Sequence, residues 1–273
     1  MSHTIDSWLR TTQTRFQDAG IQTARLDALV LLEDQLQLDR AYLLTYPDAE
    51  LSEANQTALE LVVQRREQQE PLAYIRGFSE FYSRKFVVTS DVLEPRPESE
   101  TIIELLKKLA PDAKHIADIG TGSGALAITA QLELPEAAVY AVDIDPNCLK
   151  ILELNAALHD VRIAYAKGDL LEPFLHKDCA FQPAILLANL PYVPNDYPIN
   201  EAAKHEPGLA LFGGADGLDL YRTMFDQAEQ LASKPSLILA ESLPQQHSDL
   251  AKIASEHGYK LVQTDDFIQA FSC

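Results

Sequence analysis

The sequence predicts an α/β protein whose main domain is a Rossmann-like, mostly parallel sheet of seven strands. Three features predict it. From residue 115 onward, short apolar segments alternate with amphipathic ones, a glycine-rich loop follows the first apolar segment, and the first 70 residues show helical periodicity without a strand pattern. Strands that alternate with helices are typical of a parallel sheet covered on both faces. We therefore expect a small helical domain followed by a sheet domain.

The N-terminal domain is predicted at residues 1–70, with a role in recognising a partner. Ile5, Trp8 and Phe16 recur at helical spacing, and Ser52 can cap a later helix. These features predict a small bundle of helices.

A β-hairpin linker is predicted at residues 71–96, because two aromatic segments flank the polar residues 83–85. Pro97 can open a helix, so the main domain is predicted at residues 97–273. Its predicted strands cover residues 115–118, 138–143, 162–166, 184–188, 237–240 and 260–262, and its predicted helices cover residues 125–132, 147–158, 218–232 and 245–256.

The composition argues against several classes of protein. The formal net charge of −19, from 22 Lys+Arg against 41 Asp+Glu, disfavours direct binding to nucleic-acid phosphates. No run of about 18 apolar residues and no signal-peptide pattern is present, so we expect no membrane partner and a cytoplasmic location. We also expect a monomer. Cys148, Cys179 and Cys273 lack metal-ligand spacing, so we expect no metal site.

The glycine-rich loop after the first predicted strand is the candidate cofactor site. Glycines let the backbone turn tightly and approach a ligand beyond the strand ends, where open α/β sheets bind ligands. The loop residues expected to contact the cofactor are Asp118, Gly120, Thr121, Gly122, Ser123 and Gly124. Asp143, at the end of the next predicted strand, can accept hydrogen bonds from ribose hydroxyls. The glycine spacing also fits a dinucleotide, so a nicotinamide dehydrogenase is an alternative.

Two acidic residues favour S-adenosyl-L-methionine as the cofactor. Asp118 suits a zwitterionic amino acid that carries a sulfonium, whereas a carboxylate there would repel a pyrophosphate. Asp169 follows the third predicted strand and can accept from the adenine amino group, while the backbone N–H of Leu170 can donate to a ring nitrogen. The sequence therefore predicts a methyltransferase.

The candidate catalytic residues are Asn189, Leu190, Pro191 and Tyr192, which follow the fourth predicted strand. An amide nitrogen is a poor nucleophile, because its lone pair is delocalised into the carbonyl. Two acceptors that grip its hydrogens favour positive charge on nitrogen and orient it for in-line attack. The Asn189 side-chain oxygen and the Leu190 carbonyl can be these acceptors, and Pro191 keeps Leu190 extended. Tyr192 offers a flat face to a planar –NH2 group.

The chain resembles the bacterial peptide-chain release-factor glutamine methyltransferases, the HemK/PrmC family, over nearly its whole length. The resemblance rests on Arg25-Leu26-Asp27-Ala28, on Pro71-Leu72-Ala73-Tyr74-Ile75-Arg76-Gly77, on Glu94-Pro95-Arg96-Pro97-Glu98-Ser99-Glu100, and on Glu206-Pro207 with residues 210–218. It implies the class I methyltransferase fold and N5-methylation of the glutamine in the Gly-Gly-Gln tip of release factors. It also implies that residues 120–124, Asp143, Leu170 and Asn189 contact the cofactor. The glutamine would contact residues 189–192, and the N-terminal helices would help to dock the release factor.

The chain departs from this family pattern in three places. Leu190 stands where the family usually has proline, which reduces rigidity before the carbonyl and bears on the rate. Glu241-Ser242-Leu243 replaces Glu-Ile-Gly, and the tail lacks the usual Gly-Arg, so we expect an abbreviated last strand at residues 267–271. Two further hypotheses stay open: adenine-N6 methylation of DNA or RNA, and a non-catalytic partner-binding module on a methyltransferase fold.

Overall fold

The computed structural model describes residues 4–273, which form two compact units. The helical unit extends to Gly77 and includes Asn200–His205, and the sheet unit comprises Phe78–Ile199 with Glu206–Cys273. The boundary between the units thus lies beyond residue 70, and the segment expected as a linker divides between them.

The helical unit is built from amphipathic helices around an apolar core. Its helices are α1 (Ile5–Asp18), α2 (Ala24–Leu36), α3 (Arg40–Thr45), α4 (Glu53–Glu67) and α5 (Leu72–Arg76). The Ser52 hydroxyl caps α4 by accepting from the Asn55 N–H at 3.2 Å, as the sequence predicts. Phe16, Leu32 and Leu59 are fully buried in the core, where burial of apolar surface stabilises the unit.

A β-hairpin opens the sheet unit. Strands β1 (Phe78–Phe81) and β2 (Arg84–Val87) pair antiparallel through a two-residue turn. Tyr82 and Ser83 both take positive φ angles, of 52° and 58°, as this kind of tight turn requires. Phe81 and Phe86 are buried in the core beneath the sheet, so the hairpin is an integral part of this unit.

The sheet has seven strands in the order β5-β4-β3-β6-β7-β9-β8. The strands are β3 (His115–Ile119), β4 (Ala138–Asp143), β5 (Ala164–Lys167), β6 (Ile185–Ala188), β7 (Leu237–Glu241), β8 (Lys260–Asp265) and β9 (Ile268–Ser272). All pairings from β5 to β7 are parallel, and β9 is antiparallel to both of its neighbours. This confirms the predicted mostly parallel sheet. The strand order reverses between β3 and β6, which is where open sheets of this kind bind ligands.

The last strand forms one residue later than the predicted range 267–271. Strand β9 has five residues, and each of them pairs with a residue of β7. Ile268, Ala270 and Phe271 are fully buried. The strand therefore forms because its side chains complete the cores on the two faces of the sheet, whatever residues follow it.

Helices cover both faces of the sheet. They are α6 (Glu100–Leu109), α7 (Ala125–Glu133), α8 (Pro146–Leu158), α9 (Glu172–Leu175), α10 (Gly208–Leu211), α11 (Asp219–Ala228) and α12 (His247–Glu256). Leu187 and Leu239 enter the core that α6 and α7 share, whereas Leu186 and Ile238 enter the core under α11 and α12. Within residues 4–273, no helix combines the length and apolar character needed to cross a membrane.

Candidate active site

A cavity of about 350 Å³ lies in the sheet unit, and its wall includes the residues that follow β3, β4, β5 and β6. Most of the predicted site residues lie on this wall: Gly120, Thr121, Gly122, Ser123, Asp143, Asp169, Leu170, Asn189, Leu190 and Pro191. Asp118, Gly124 and Tyr192 are absent from the wall as the structure describes it. The parallel topology thus brings ten of the predicted residues to the cavity wall, and the other three lie off it.

The glycine loop takes a backbone conformation that side chains would disturb. Gly122 has a φ of 53°, its N–H donates to Oδ2 of Asp143 at 2.8 Å, and a Cβ atom there would project into open space. Gly124 has a φ of 81°, and a Cβ atom there would lie 2.3 Å from Cδ1 of Leu152. Gly122 therefore leaves room for a ligand, whereas Gly124 permits close packing of α7 against α8.

Asp118 stabilises the glycine loop through hydrogen bonds. Its Oδ2 accepts from the Thr121 hydroxyl at 2.6 Å and from the Ala127 N–H at 3.1 Å. The carboxyl group is buried, and burial raises its pKa to about 7. Asp118 is not among the residues that line the cavity, and its predicted contact with the cofactor stays a prediction. Its hydrogen bonds stabilise the conformation of the loop.

Asp143 lies at the end of β4 with its carboxylate on the cavity wall. Its two oxygens accept from the backbone N–H groups of Gly122, at 2.8 Å, and Asp145, at 2.9 Å. Burial raises the pKa of this carboxyl, and the two N–H donors together with the Cys148 thiol oppose that rise. A carboxylate has about four lone-pair sites, so the sites that these donors leave unused can accept from ribose hydroxyls.

Asp169 and Leu170 line the cavity just after β5. Leu170 has a φ of 55°, a left-handed conformation that costs a non-glycine residue roughly 1–3 kcal/mol. The Gln227 side chain holds this turn, since it accepts from the Leu171 N–H at 2.7 Å and donates to the Asp169 carbonyl at 3.4 Å. Such conformations cluster at ligand sites, which agrees with the predicted place of the adenine ring.

Asn189 is held by a buried hydrogen-bond network. Its Nδ2 donates to the Ser99 hydroxyl at 2.9 Å, and that hydroxyl donates to Oε2 of Glu241 at 2.6 Å. No group among residues 4–273 donates to Oδ1 of Asn189, although Asn189 lines the cavity. The side-chain oxygen is therefore available to a ligand, as the tetrapeptide hypothesis requires.

Tyr192 lies beside the cavity rather than on its wall. Its hydroxyl donates to Oε1 of Glu241 at 3.0 Å, and burial raises the pKa of this phenol. Its carbonyl accepts from the Gln246 side chain at 2.8 Å. These contacts fix the ring, but its predicted contact with a substrate amide stays a prediction.

Leu190 has two contacts that explain how it replaces a proline. Its N–H donates to the Tyr221 hydroxyl at 3.3 Å, a bond that proline lacks. Its side chain is buried, and Cδ2 lies 3.1 Å from the position that a Cβ atom on Gly120 would take. Both contacts restrict the backbone ahead of Pro191.

Sequence reasoning missed further wall residues. Three of them closely follow Asp143, namely Ile144, Asp145 and Cys148, and others come from distant segments, including Phe81, Asp91, Leu93, Ser99, Leu209 and Phe212. Cys148 was assigned no role because it lacks metal-ligand spacing, although its place in the first turn after Asp145 put it next to the predicted ribose site. Arg96 binds both carboxylate oxygens of Glu206, at 2.5 and 2.7 Å, and so anchors the segment that leads to Leu209.

Comparisons with known proteins agree with this fold. Residues 7–77 match the family model described as PrmC N-terminal domain, and residues 97–192 match the one described as Methyltransferase small domain. The release factor glutamine methyltransferase of Coxiella burnetii is 36% identical, covering 88% of this chain and 86% of that protein. The protein of the same name from Koribacter versatilis is 38% identical, covering 77% of this chain and 75% of that protein.

Two solved structures share the fold of this chain. The catalytic domain of hMettl16, in complex with hairpin 6 of the MAT2A 3'UTR, has a TM-score of 0.54 and 14% identity and covers 86% of this chain and 92% of that one. The 16S rRNA N2 G1207 methyltransferase of T. thermophilus, in complex with AdoMet and guanosine, has a TM-score of 0.51 and 16% identity and covers 71% of this chain and 49% of that one. At these identities the likeness concerns the fold alone.

The fold and the family matches define a class I methyltransferase that uses S-adenosyl-L-methionine. The nicotinamide alternative and the non-catalytic alternative are thereby set aside. Open space over Gly122 and the spare lone pairs of Asp143 fit this cofactor. More narrowly, the chain belongs to the family of release factor glutamine methyltransferases.

Proposed function

We propose that this protein methylates the side-chain amide nitrogen of the glutamine in the Gly-Gly-Gln tip of peptide-chain release factors. The family name supports a release-factor glutamine as the substrate. The observation that carries the chemistry is the orientation of Asn189, whose Nδ2 is bonded to Ser99 while Oδ1 has no donor within residues 4–273. A free oxygen at this point suits an –NH2 group.

The residues of the tetrapeptide act by holding the nitrogen. S-adenosylmethionine held by the glycine loop, Asp143 and Leu170 would supply the methyl group from its sulfonium: the nitrogen–carbon bond would form as the sulfur–carbon bond broke, leaving a thioether and releasing one amide proton. Oδ1 of Asn189 and the carbonyl of Leu190 would accept the two amide hydrogens and favour the positive charge that develops on nitrogen. Their fixed positions would keep the nitrogen in line with the methyl carbon.

No protein base is needed for this reaction. The methylated amide nitrogen is strongly acidic while it carries positive charge, so water can take its proton. Tyr192 is a poor base, because burial raises its pKa and its proton is donated to Glu241. The chain's contribution is orientation and electrostatic stabilisation.

The helical unit is proposed to dock the release factor, and the protein is proposed to act as a cytoplasmic monomer. Residues 7–77 match the N-terminal family model, which supports a role shared within the family. The net charge of −19 favours a protein substrate over nucleic acid.

Methyl transfer from labelled cofactor tests the proposal. The purified protein is incubated separately with a release factor, with the same factor carrying Ala for the Gly-Gly-Gln glutamine, with duplex DNA and with RNA. We expect label in the unchanged release factor alone, and mass spectrometry of its tryptic peptides should place one methyl group on that glutamine. Label in DNA or RNA, with none in the release factor, would establish adenine methylation instead.

A further inference from the structure

A chain of buried hydrogen bonds leads from the candidate catalytic asparagine through Ser99, which lies on the cavity wall, to the buried Glu241. Nδ2 of Asn189 donates to Oγ of Ser99 at 2.9 Å, and Oγ of Ser99 donates to Oε2 of Glu241 at 2.6 Å. Ser99 is 3% exposed and Glu241 is 1% exposed. Ser99 ends a single turn of 3-10 helix, and Glu241 ends β7, so rigid elements hold both groups.

The direction of these bonds determines which end of the Asn189 amide faces the cavity. A serine hydroxyl has one proton, and here the Glu241 carboxylate accepts it. The Ser99 oxygen can then serve Asn189 only as an acceptor, so Asn189 must turn its –NH2 towards Ser99. Oδ1 is left on the cavity side. Were the Ser99 proton free, it could donate to Oδ1, and the amide could turn its –NH2 group into the cavity.

The two amide orientations differ in what they offer a substrate. An incoming –NH2 group needs acceptors for its hydrogens, and a second –NH2 group in that place offers none. The same carboxylate also receives the Tyr192 hydroxyl, through Oε1 at 3.0 Å. One buried acid thus orients two residues of the tetrapeptide.

We propose that Ser99 and Glu241 are positioning residues that hold the Asn189 amide with its oxygen towards the substrate nitrogen. The inference rests on the proposed function, because the substrate –NH2 group defines which orientation is productive. Ser99 and Glu241 act through Asn189 and need touch neither substrate nor cofactor to do so.

The rate of methylation by variants of Ser99 tests its proposed positioning role. We expect Ser99→Ala to lower kcat for release-factor methylation about tenfold, because the amide loses the acceptor that selects its orientation. The KM for the release factor and the affinity for S-adenosylhomocysteine should stay within about twofold. Ser99→Thr keeps the hydroxyl and should restore most of the rate.

Ser242→Ala is the matched control. Ser242 follows Glu241 directly and is fully buried, and its Oγ has no hydrogen-bond partner among the described residues. Ser242→Ala removes the same hydroxyl group as Ser99→Ala from a buried residue next to Glu241, and it leaves the hydrogen-bond network intact. We expect kcat within about twofold of the unchanged enzyme.

A double-mutant cycle separates positioning from a general structural effect. If Ser99 acts through Asn189, adding Ser99→Ala to Asn189→Ala should cause no further loss of kcat. Independent losses that multiply in the double variant would overturn the proposal. So would a Ser99→Ala enzyme as active as the control.

Proton NMR spectroscopy tests the network independently of enzyme activity. The resonances of the two Asn189 side-chain amide protons are assigned by their absence from the Asn189→Ala spectrum. The resonance of the proton that faces Ser99 should shift upfield in Ser99→Ala but not in Ser242→Ala. If the unchanged enzyme methylates no release factor but this shift occurs, the proposed function fails and the positioning network stands. If the enzyme is active and the shift is absent, the positioning proposal fails.

Discussion

The cofactor side and the methyl-accepting side of the cavity are supported in different ways. On the cofactor side, hydrogen bonds join residues that are close in sequence: Asp118 and Thr121 are three residues apart, and Gly122 and Asp143 are 21 apart. On the methyl-accepting side, the hydrogen-bonded residues are far apart in sequence: Asn189 and Ser99 are separated by 90 residues, and Ser99 and Glu241 by 142. The glycine loop and Asp143 are therefore positioned by one strand–loop–helix unit with the next strand, whereas Asn189 meets Ser99 and Glu241 only once β3, β6 and β7 have paired.

This difference predicts two kinds of functional loss. Damage on the cofactor side should appear as weaker cofactor binding, because the proposed role of its residues is to contact the bound cofactor. Damage on the methyl-accepting side should appear in kcat, because the proposed role of its residues is to orient the reacting nitrogen.

The largest effect is expected for Asn189→Ala. Removal of the side-chain acceptor should lower kcat on the order of 100-fold, comparable to the loss of one donor from an oxyanion hole. Calorimetry with S-adenosylhomocysteine should show an affinity within about threefold of the unchanged enzyme. If the variant lost cofactor affinity but kept kcat at saturating cofactor, the proposed division between cofactor binding on one side and orientation of the nitrogen on the other would be contradicted.

Asp143→Ala should give the opposite pattern. It removes the proposed ribose acceptor and leaves the Gly122 N–H without its partner, so affinity for S-adenosylhomocysteine should fall roughly 30-fold. At saturating cofactor, kcat should fall much less. Asp112→Ala, which alters an exposed acid in a loop, is the control and should leave the calorimetric affinity unchanged.

The same division explains what could be predicted from the sequence. The glycine loop, Asp143 and the order of strands follow from local patterns, because each depends on neighbours in the chain. Ser99 and Glu241 lie in segments that the family resemblance covers, but no local pattern assigns them a role, since only the pairing of β3, β6 and β7 brings them to Asn189. The exclusion of Asp118 from the cavity wall is also a tertiary result.

Protonation of Glu241 should weaken the methyl-accepting side. Burial raises the pKa of this carboxyl, and the groups that act on it are Ser99, Tyr192, Arg96 and Glu98. A protonated Glu241 can donate to Ser99, which frees the Ser99 proton for Oδ1 of Asn189 and allows the wrong amide orientation. Activity is then present above this pKa and lost as pH falls through it.

The measurement is kcat against pH at saturating release factor and cofactor. The fall in kcat at low pH should have an apparent pKa above the ordinary range of a carboxyl group. Glu241→Gln should remove this fall and should lower the maximal kcat about tenfold. If the fall in kcat is identical in both enzymes, a group other than Glu241 causes it. The affinity for S-adenosylhomocysteine serves as the reference, since Glu241 lies off the cofactor side.

The smallest effect concerns Leu190 and its bond to Tyr221. Tyr221→Phe should lower the free energy of unfolding by about 1–3 kcal/mol, because buried polar groups of Leu190, Ala188 and Glu241 lose a partner. Leu190→Pro removes the N–H that donates to Tyr221 but restores a fixed backbone angle. If the hydrogen bond substitutes for proline, the Tyr221→Phe loss should be smaller in the Leu190→Pro background, by up to about 1 kcal/mol at a donor–acceptor distance of 3.3 Å. Denaturant unfolding of the four proteins measures this coupling, and strictly additive losses would show that burial against Gly120, rather than the hydrogen bond, holds Leu190 in place.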